Sequence, residues 1–181
     1  PFATLITPQS PEPLVTHLPL LHVADREPHG TLFGHFARAN PHAQVAAGAA
    51  VIAIFHGPHA YVSPSWYAEP SSAVPTWNYA VAHAHGTIEF AHDAAATRAV
   101  LDLMIHRFEA GRDTPWKLGL DPERLAAMVG AIVGFRIKVK RFDAKLKLSQ
   151  NRTPEDRRRV AAGLDGEPYA DAAATASWMR A

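Results

Sequence analysis

Ser63 and Ser65 flank Pro64 at the end of a β-prone stretch, where two hydroxyls and the neighbouring backbone N–H groups could hold an anion such as a phosphate. The same three residues also suit an ordinary Ser-Pro turn. Trp66, Tyr67, Trp77 and Tyr79 then place four amphipathic aromatics within fourteen positions. That is stacking area with polar tips for a flat polycyclic ligand, or the makings of a core. On a strand, Trp77 and Tyr79 share one face and Thr76 and Asn78 the other, so either pair can line a ligand while the other packs away from it. The Asn78 amide offers both donors and acceptors, which suits a heteroaromatic ring edge as well as a bridge between strands.

Two more clusters carry chemistry. His35, Arg38 and Asn40 gather polar groups in a segment read as a short helix, where a spacing of three puts His35 and Arg38 on one face. Arg38 suits a phosphate fork, a local cap or a salt bridge. Lys147 and Ser149 share a strand face, with Gln150 and Asn151 leading into a helix cap. Lys147 fits either a phosphate held across a subunit boundary or a contact that closes a barrel.

Other chemistries are disfavoured. His83 and His85 lie two apart on a strand and His56 and His59 bracket an apparent turn, but no acid stands at ligand spacing beside them, so no metal site is expected. The chain has no cysteine, which removes disulfides, thiolate ligands and a cysteine nucleophile. A Gly-x-Ser-x-Gly elbow is also missing.

The elements that must position these residues are mostly strands. Phe2–Thr7 and Leu14–Pro19 read as two strands joined by the turn Pro8-Gln9-Ser10-Pro11. Leu32, Phe33 and Phe36 sit at helical spacing before Asn40-Pro41, which stops a helix. Val51–Phe55 is expected to turn through His56-Gly57-Pro58-His59 into a second strand at Ala60–Ser63. Trp77–His83 and Thr87–Phe90 form a further strand system.

A main helix follows Asp93, with Leu101, Ile105 and Phe108 on its apolar stripe and Gly111 as its end. Asp121-Pro122-Glu123 opens a shorter helix that closes near Gly130. Ile137 and Val139, then Lys145 to Leu148, alternate as strands with one wet face. Thr153-Pro154-Glu155-Asp156 starts a C-terminal helix of about ten residues that ends near Gly163. The alanine-rich end at 172–176 is expected to fray.

Many short strands with one long helix imply a mainly β, α+β domain: a closed antiparallel sheet with helices at its rim. The expected division is a barrel domain at 1–150, with the helix at about 94–110 inserted, and a C-terminal helix and tail at 151–181. With 181 residues, 48% of them apolar and 19% charged, the chain is long and apolar enough for a packed core. No run approaches the roughly 18 to 20 apolar residues that span a bilayer. Together with the lack of cysteine, this fits a cytoplasmic protein. The chain starts at Pro1, so a native segment is expected ahead of it.

The net charge of +1 conceals a gradient. Residues 136–159 hold ten basic residues against three acids, leaving eight basic and fourteen acidic residues elsewhere. Such a run, ending in Arg157, Arg158 and Arg159, suits a phosphate, a nucleic-acid backbone or a solvated face. No helix-turn-helix accompanies it.

Three segments carry a resemblance. They are His29-Gly30-Thr31-Leu32-Phe33-Gly34-His35-Phe36-Ala37-Arg38-Ala39-Asn40-Pro41-His42, the pair Tyr61-Val62-Ser63-Pro64-Ser65-Trp66-Tyr67 and Val74-Pro75-Thr76-Trp77-Asn78-Tyr79, and Lys147-Leu148-Ser149-Gln150-Asn151-Arg152. In this order they resemble the PaiB family of negative transcriptional regulators, over nearly the whole chain.

The resemblance implies an FMN-binding split β-barrel with peripheral helices, similar to pyridoxamine-phosphate oxidase, that holds FMN at the interface of a homodimer. It points to His35, Arg38, Asn40, Ser63, Ser65, Trp66, Tyr67, Thr76, Trp77, Asn78, Tyr79, Lys147 and Gln150 as the cofactor-binding set. An FMN-dependent oxidoreductase is the alternative reading, with His35 or His83 as proton donor. The segment Ala68–Ala73 departs from the family pattern: it is short and lacks a lysine usual after the Trp-Tyr pair.

Overall fold

Alternation governs the first hairpin. Phe2–Thr7 (β1) turns Ala3, Leu5 and Thr7 inward, and it pairs antiparallel with Leu14–Pro19 (β2) from Phe2 opposite Pro19 to Thr7 opposite Leu14. The computed structural model describes residues 1–9, 11–24 and 28–181; Ser10 of the turn expected there lies outside the described residues. Five more strands are Leu21–Val23 (β3), Thr31–Ala37 (β4), Ala50–Val62 (β5), Thr76–Phe90 (β6) and Ile132–Lys147 (β7). They form one sheet in the order β2-β1-β5-β6-β7-β4-β3. The pairs β1–β5, β3–β4 and β4–β7 are antiparallel. Four helices complete the chain: Ala94–Glu109 (α1), Pro122–Gly130 (α2), Pro154–Asp165 (α3) and Ala170–Arg180 (α4).

Two compact units emerge, one from residues 1–55 and 83–143, the other from 56–82 and 144–181. The core of the first is built from Leu5, Leu20, Leu32, Phe36, Val51, Ile88, Phe135 and Ile137. Phe36 and Phe135 stack there with centroids 4.3 Å apart. The second unit packs Val62, Tyr67, Leu148, Val160, Leu164, Ala172, Ala176 and Met179.

Several sequence expectations are corrected. The segment around Leu32 and Phe36 is not a helix: it is β4, with Leu32, Gly34 and Phe36 turned inward. A spacing of four satisfies a two-residue period as readily as a helical one, so the apolar pair could not distinguish them. A short 3-10 turn, Pro41–Gln44, follows Asn40. No turn occurs at 56–59, because β5 continues without a break to Val62. Gly57 serves close packing there: a Cβ on it would lie 2.8 Å from the Ala80 Cβ. The two expected strands at 77–83 and 87–90 are likewise one, β6.

The helix starts agree with their cap chemistry. Asp93 accepts from Ala96 N at 2.7 Å, Asp121 from Arg124 N at 2.9 Å and Thr153 from Asp156 N at 3.1 Å. On α1, however, Thr97 and Met104 are the buried residues, while Phe108 is exposed. α3 extends past Gly163 to Asp165. The alanine-rich end does not fray. It forms α4, whose Ala172, Thr175, Ala176 and Met179 are buried, because small side chains let α4 lie close against α3.

Candidate functional site

The second unit gathers most of the expected residues. Along β6 the alternation holds: Asn78 is buried, while Trp77 is 47% exposed and Tyr79 half-buried. At the end of β7, Lys147 Nζ donates to the Thr76 hydroxyl and, at 2.9 Å, to the Trp77 carbonyl. This ammonium is fixed against β6 and has no carboxylate partner among the described residues.

Ser63 and Ser65 lie at the entry to a 3-10 turn, Pro64–Trp66, that follows β5. Their hydroxyls are 2.7 Å apart, and Ser63 Oγ also accepts from Ser65 N at 3.3 Å. One of the two O–H groups is spent in this bond, which leaves the other free to donate to an anion. Trp66 packs its ring against Gly163 of α3, where a Cβ would lie 2.4 Å from Cδ2. Tyr67 is 4% exposed with its hydroxyl buried and without a partner among the described residues, and the Arg152 guanidinium lies 4.6 Å from its ring centroid.

Two of the expected residues are engaged inside this unit. Asn78 Nδ2 donates to Ser149 Oγ at 3.0 Å and to Met179 Sδ at 3.3 Å. Gln150 bends back across the β7–α3 turn, with Oε1 accepting from Leu148 N and Nε2 donating to Leu146 O, both at 2.7 Å.

His35, Arg38 and Asn40 belong to the first unit. Arg38 donates through Nε to Gly130 O at 2.6 Å and through Nη2 to Ile132 O at 2.9 Å, so its fork ties the end of β4 to the α2–β7 turn. Asn40 caps the 3-10 turn by accepting from His42 N at 2.9 Å. His35 keeps Nδ1 buried without a partner among the described residues, and burial holds its pKa below the ordinary value.

Three residues near Trp77 were not anticipated. His59 Nδ1 accepts from Trp77 Nε1 at 3.3 Å, His59 Nε2 lies 3.4 Å from Asp171, and the Tyr61 ring centroid is 6.3 Å from that of Trp77. Reading a turn at 56–59 hid them. The alternation His59, Tyr61 along one strand face was the available signal. The second histidine pair also has an acid: His85 Nε2 lies 3.0 Å from Asp143, and His83 packs edge-on against His85. No group of three or more metal-ligating side chains occurs among the described residues.

The Lys147 ammonium fixed between β7 and β6, the exposed Trp77 ring on β6, and the Ser63 and Ser65 hydroxyls at the end of the neighbouring strand β5 are groups whose chemistry suits a ligand that is anionic at one end and aromatic at the other. In that chemical sense the residues fit a flavin mononucleotide.

Comparison with known proteins agrees. Residues 1–141 match the family described as "Putative FMN-binding domain". The chain is 37% identical over 181 residues to "Protease synthase and sporulation protein PAI 2" of Bacillus subtilis, covering 98% of this chain and 85% of that one. Among solved structures it is similar to the FAD and heme binding protein from Mycobacterium smegmatis, at 22% identity and a TM-score of 0.61, covering 90% of this chain and 72% of that one. It is also similar to the flavocytochrome Anf3 from Azotobacter vinelandii, at 14% identity and a TM-score of 0.60, covering 86% and 66%. At such identities the structural likeness establishes the fold, a split β-barrel with peripheral helices.

Proposed function

The chain belongs to the family of FMN-binding domains that it matches over residues 1–141, and on that premise we propose that it is an FMN-binding, homodimeric regulator of the PaiB type. The observation that carries the cofactor assignment is the Lys147 ammonium, held against Thr76 and the Trp77 carbonyl with no carboxylate partner among the described residues. Lys147, Ser63 and Ser65 hold the phosphate, and Trp77 with Tyr61 offers stacking area to the ring. Tyr79 extends the same face of β6. Asn78 and Gln150 hold the frame on which these groups stand.

Bound FMN supplies hydride and single-electron transfer. The chain's own contribution is to bind and orient it. His59 fixes the Trp77 ring by accepting its N–H, which leaves the indole face in a set orientation. Burial lowers the His35 pKa from its ordinary value. The regulatory reading rests on the likeness to the protease synthase and sporulation protein of Bacillus subtilis.

The basic run at 136–159 does not support a stripe for duplex DNA. It is divided between the two units, and Arg136 and Lys138 pair with Glu89, Arg141 with Asp143, and Arg159 with Glu155. Among the described residues, no helix is long and apolar enough to cross a membrane.

The deciding experiment is a visible spectrum of the purified protein with a titration of added FMN. A flavin spectrum, or quenching of FMN fluorescence at one site per chain, is expected; a colourless protein that takes up no FMN refutes the assignment. Sustained NAD(P)H oxidation by the FMN-loaded protein would replace the regulatory reading with an oxidoreductase one.

A further inference from the structure

We propose that the recess between α3 and α4 is a second anion site, built for the phosphate of a small phosphomonoester. The recess has a volume of about 510 Å³ and is lined by Pro154, Arg157, Arg158, Ala161, Met179 and Arg180. Three arginines from two helices therefore line one concavity. Cavities of this size hold small molecules.

The guanidiniums differ in what already engages them. Arg180 is bonded to Asp165, which holds its pKa above the ordinary value. Arg157 donates through Nη2 to Met179 O at 2.6 Å, which occupies a carbonyl of the last turn of α4. Its Nε is buried and has no partner among the described residues. Arg158 is exposed and makes no ion pair among the described residues. Two forked cations without carboxylates thus face one recess, a geometry that matches phosphate oxygens.

Ala161 and Met179 line the same recess with apolar surface, which suits a ligand carrying a carbon skeleton. An extended polyanion fits less well. Residues 154–181 contain four arginines and five acids, so the charge is concentrated in the recess and does not form a broad positive field. The site is independent of the Lys147 reading. FMN is itself a phosphomonoester, so the same phosphate chemistry could come from FMN or from a sugar phosphate.

Isothermal titration of the full chain with ribose 5-phosphate, inorganic phosphate and ribose tests the proposal. Saturable binding of ribose 5-phosphate, with none of ribose, is expected. Arg158→Gln weakens it about tenfold, as loss of a charge-assisted bond should, and Arg159→Gln leaves it unchanged. Arg157→Gln is the second variant; should it fail to fold, Arg158→Gln at an exposed position decides alone. If prior saturation with FMN blocks ribose 5-phosphate, FMN is the source of the phosphate; if not, a separate metabolite is, and either result supports the site. The proposal is overturned by no binding at millimolar ribose 5-phosphate, by binding indifferent to Arg158→Gln, or by salt-sensitive binding of a DNA duplex alone.

Discussion

Asn78 and Ser149, 71 residues apart in sequence, satisfy each other in the core of the second unit: Asn78 Nδ2 donates to Ser149 Oγ at 3.0 Å, and Ser149 Oγ donates to Asn78 Oδ1 at 3.3 Å. Ser149 sits at φ 60°, a left-handed conformation costly for a residue with a Cβ. The pair therefore holds the β7–α3 turn against β6, next to Lys147. Removing the hydroxyl leaves a buried amide short of a partner, so Ser149→Ala should lose about 1–3 kcal/mol. Ser149→Gly loses the same bonds but relieves the backbone, and should melt above Ser149→Ala. Thermal melts in which the alanine variant equals or exceeds the glycine variant would contradict this account.

Gly163 lies within α3, where alanine normally gains about 1 kcal/mol over glycine. Here a Cβ would sit 2.4 Å from the Trp66 ring, so Gly163→Ala should instead destabilise by about 1–3 kcal/mol. In a Trp66→Leu background the same change should be neutral or stabilising. Chemical denaturation of the four proteins shows whether the ring decides the sign.

Lys147 should matter for ligand more than for folding. Lys147→Met removes the ammonium from Thr76 and the Trp77 carbonyl, and FMN affinity should fall about tenfold or more. Fluorescence titration reads this directly. An unchanged affinity would move the phosphate site elsewhere.

Acid should destabilise the first unit through its histidines. His42 is 1% exposed, accepts or donates at Nδ1 with the Thr16 hydroxyl 2.7 Å away, and has its pKa lowered by burial, as has His35. An unfolded histidine titrates near 6.5. Below that pH the unfolded chain binds protons that the folded one refuses. Stability is thus fully present above about pH 6.5 and is lost as pH falls toward the lower folded values. Melting temperature followed from pH 8 to pH 5 should fall, and His42→Gln should flatten the slope. A variant that keeps the parental slope would exclude His42 as a source.

Local chemistry settled much in advance. The caps at Asp93, Asp121 and Thr153 start helices wherever they stand, because a side-chain oxygen needs only the next turn of backbone. Alternation at Thr76 to Tyr79 placed Asn78 and Trp77 on opposite faces without knowledge of the fold. The Ser63-Pro64-Ser65 turn was equally legible. Tertiary structure decided the rest. Leu32 and Phe36 fit helix and strand alike until β7 offered β4 a pairing partner, and Gly57 reads as a turn until Ala80 lies against it. Asn78 was open to ligand or frame, and only packing brought Ser149 and Met179, from distant positions, to its amide. Spacing constrains what a residue can reach within its own element; which distant group occupies its hydrogen-bonding capacity is set by packing alone.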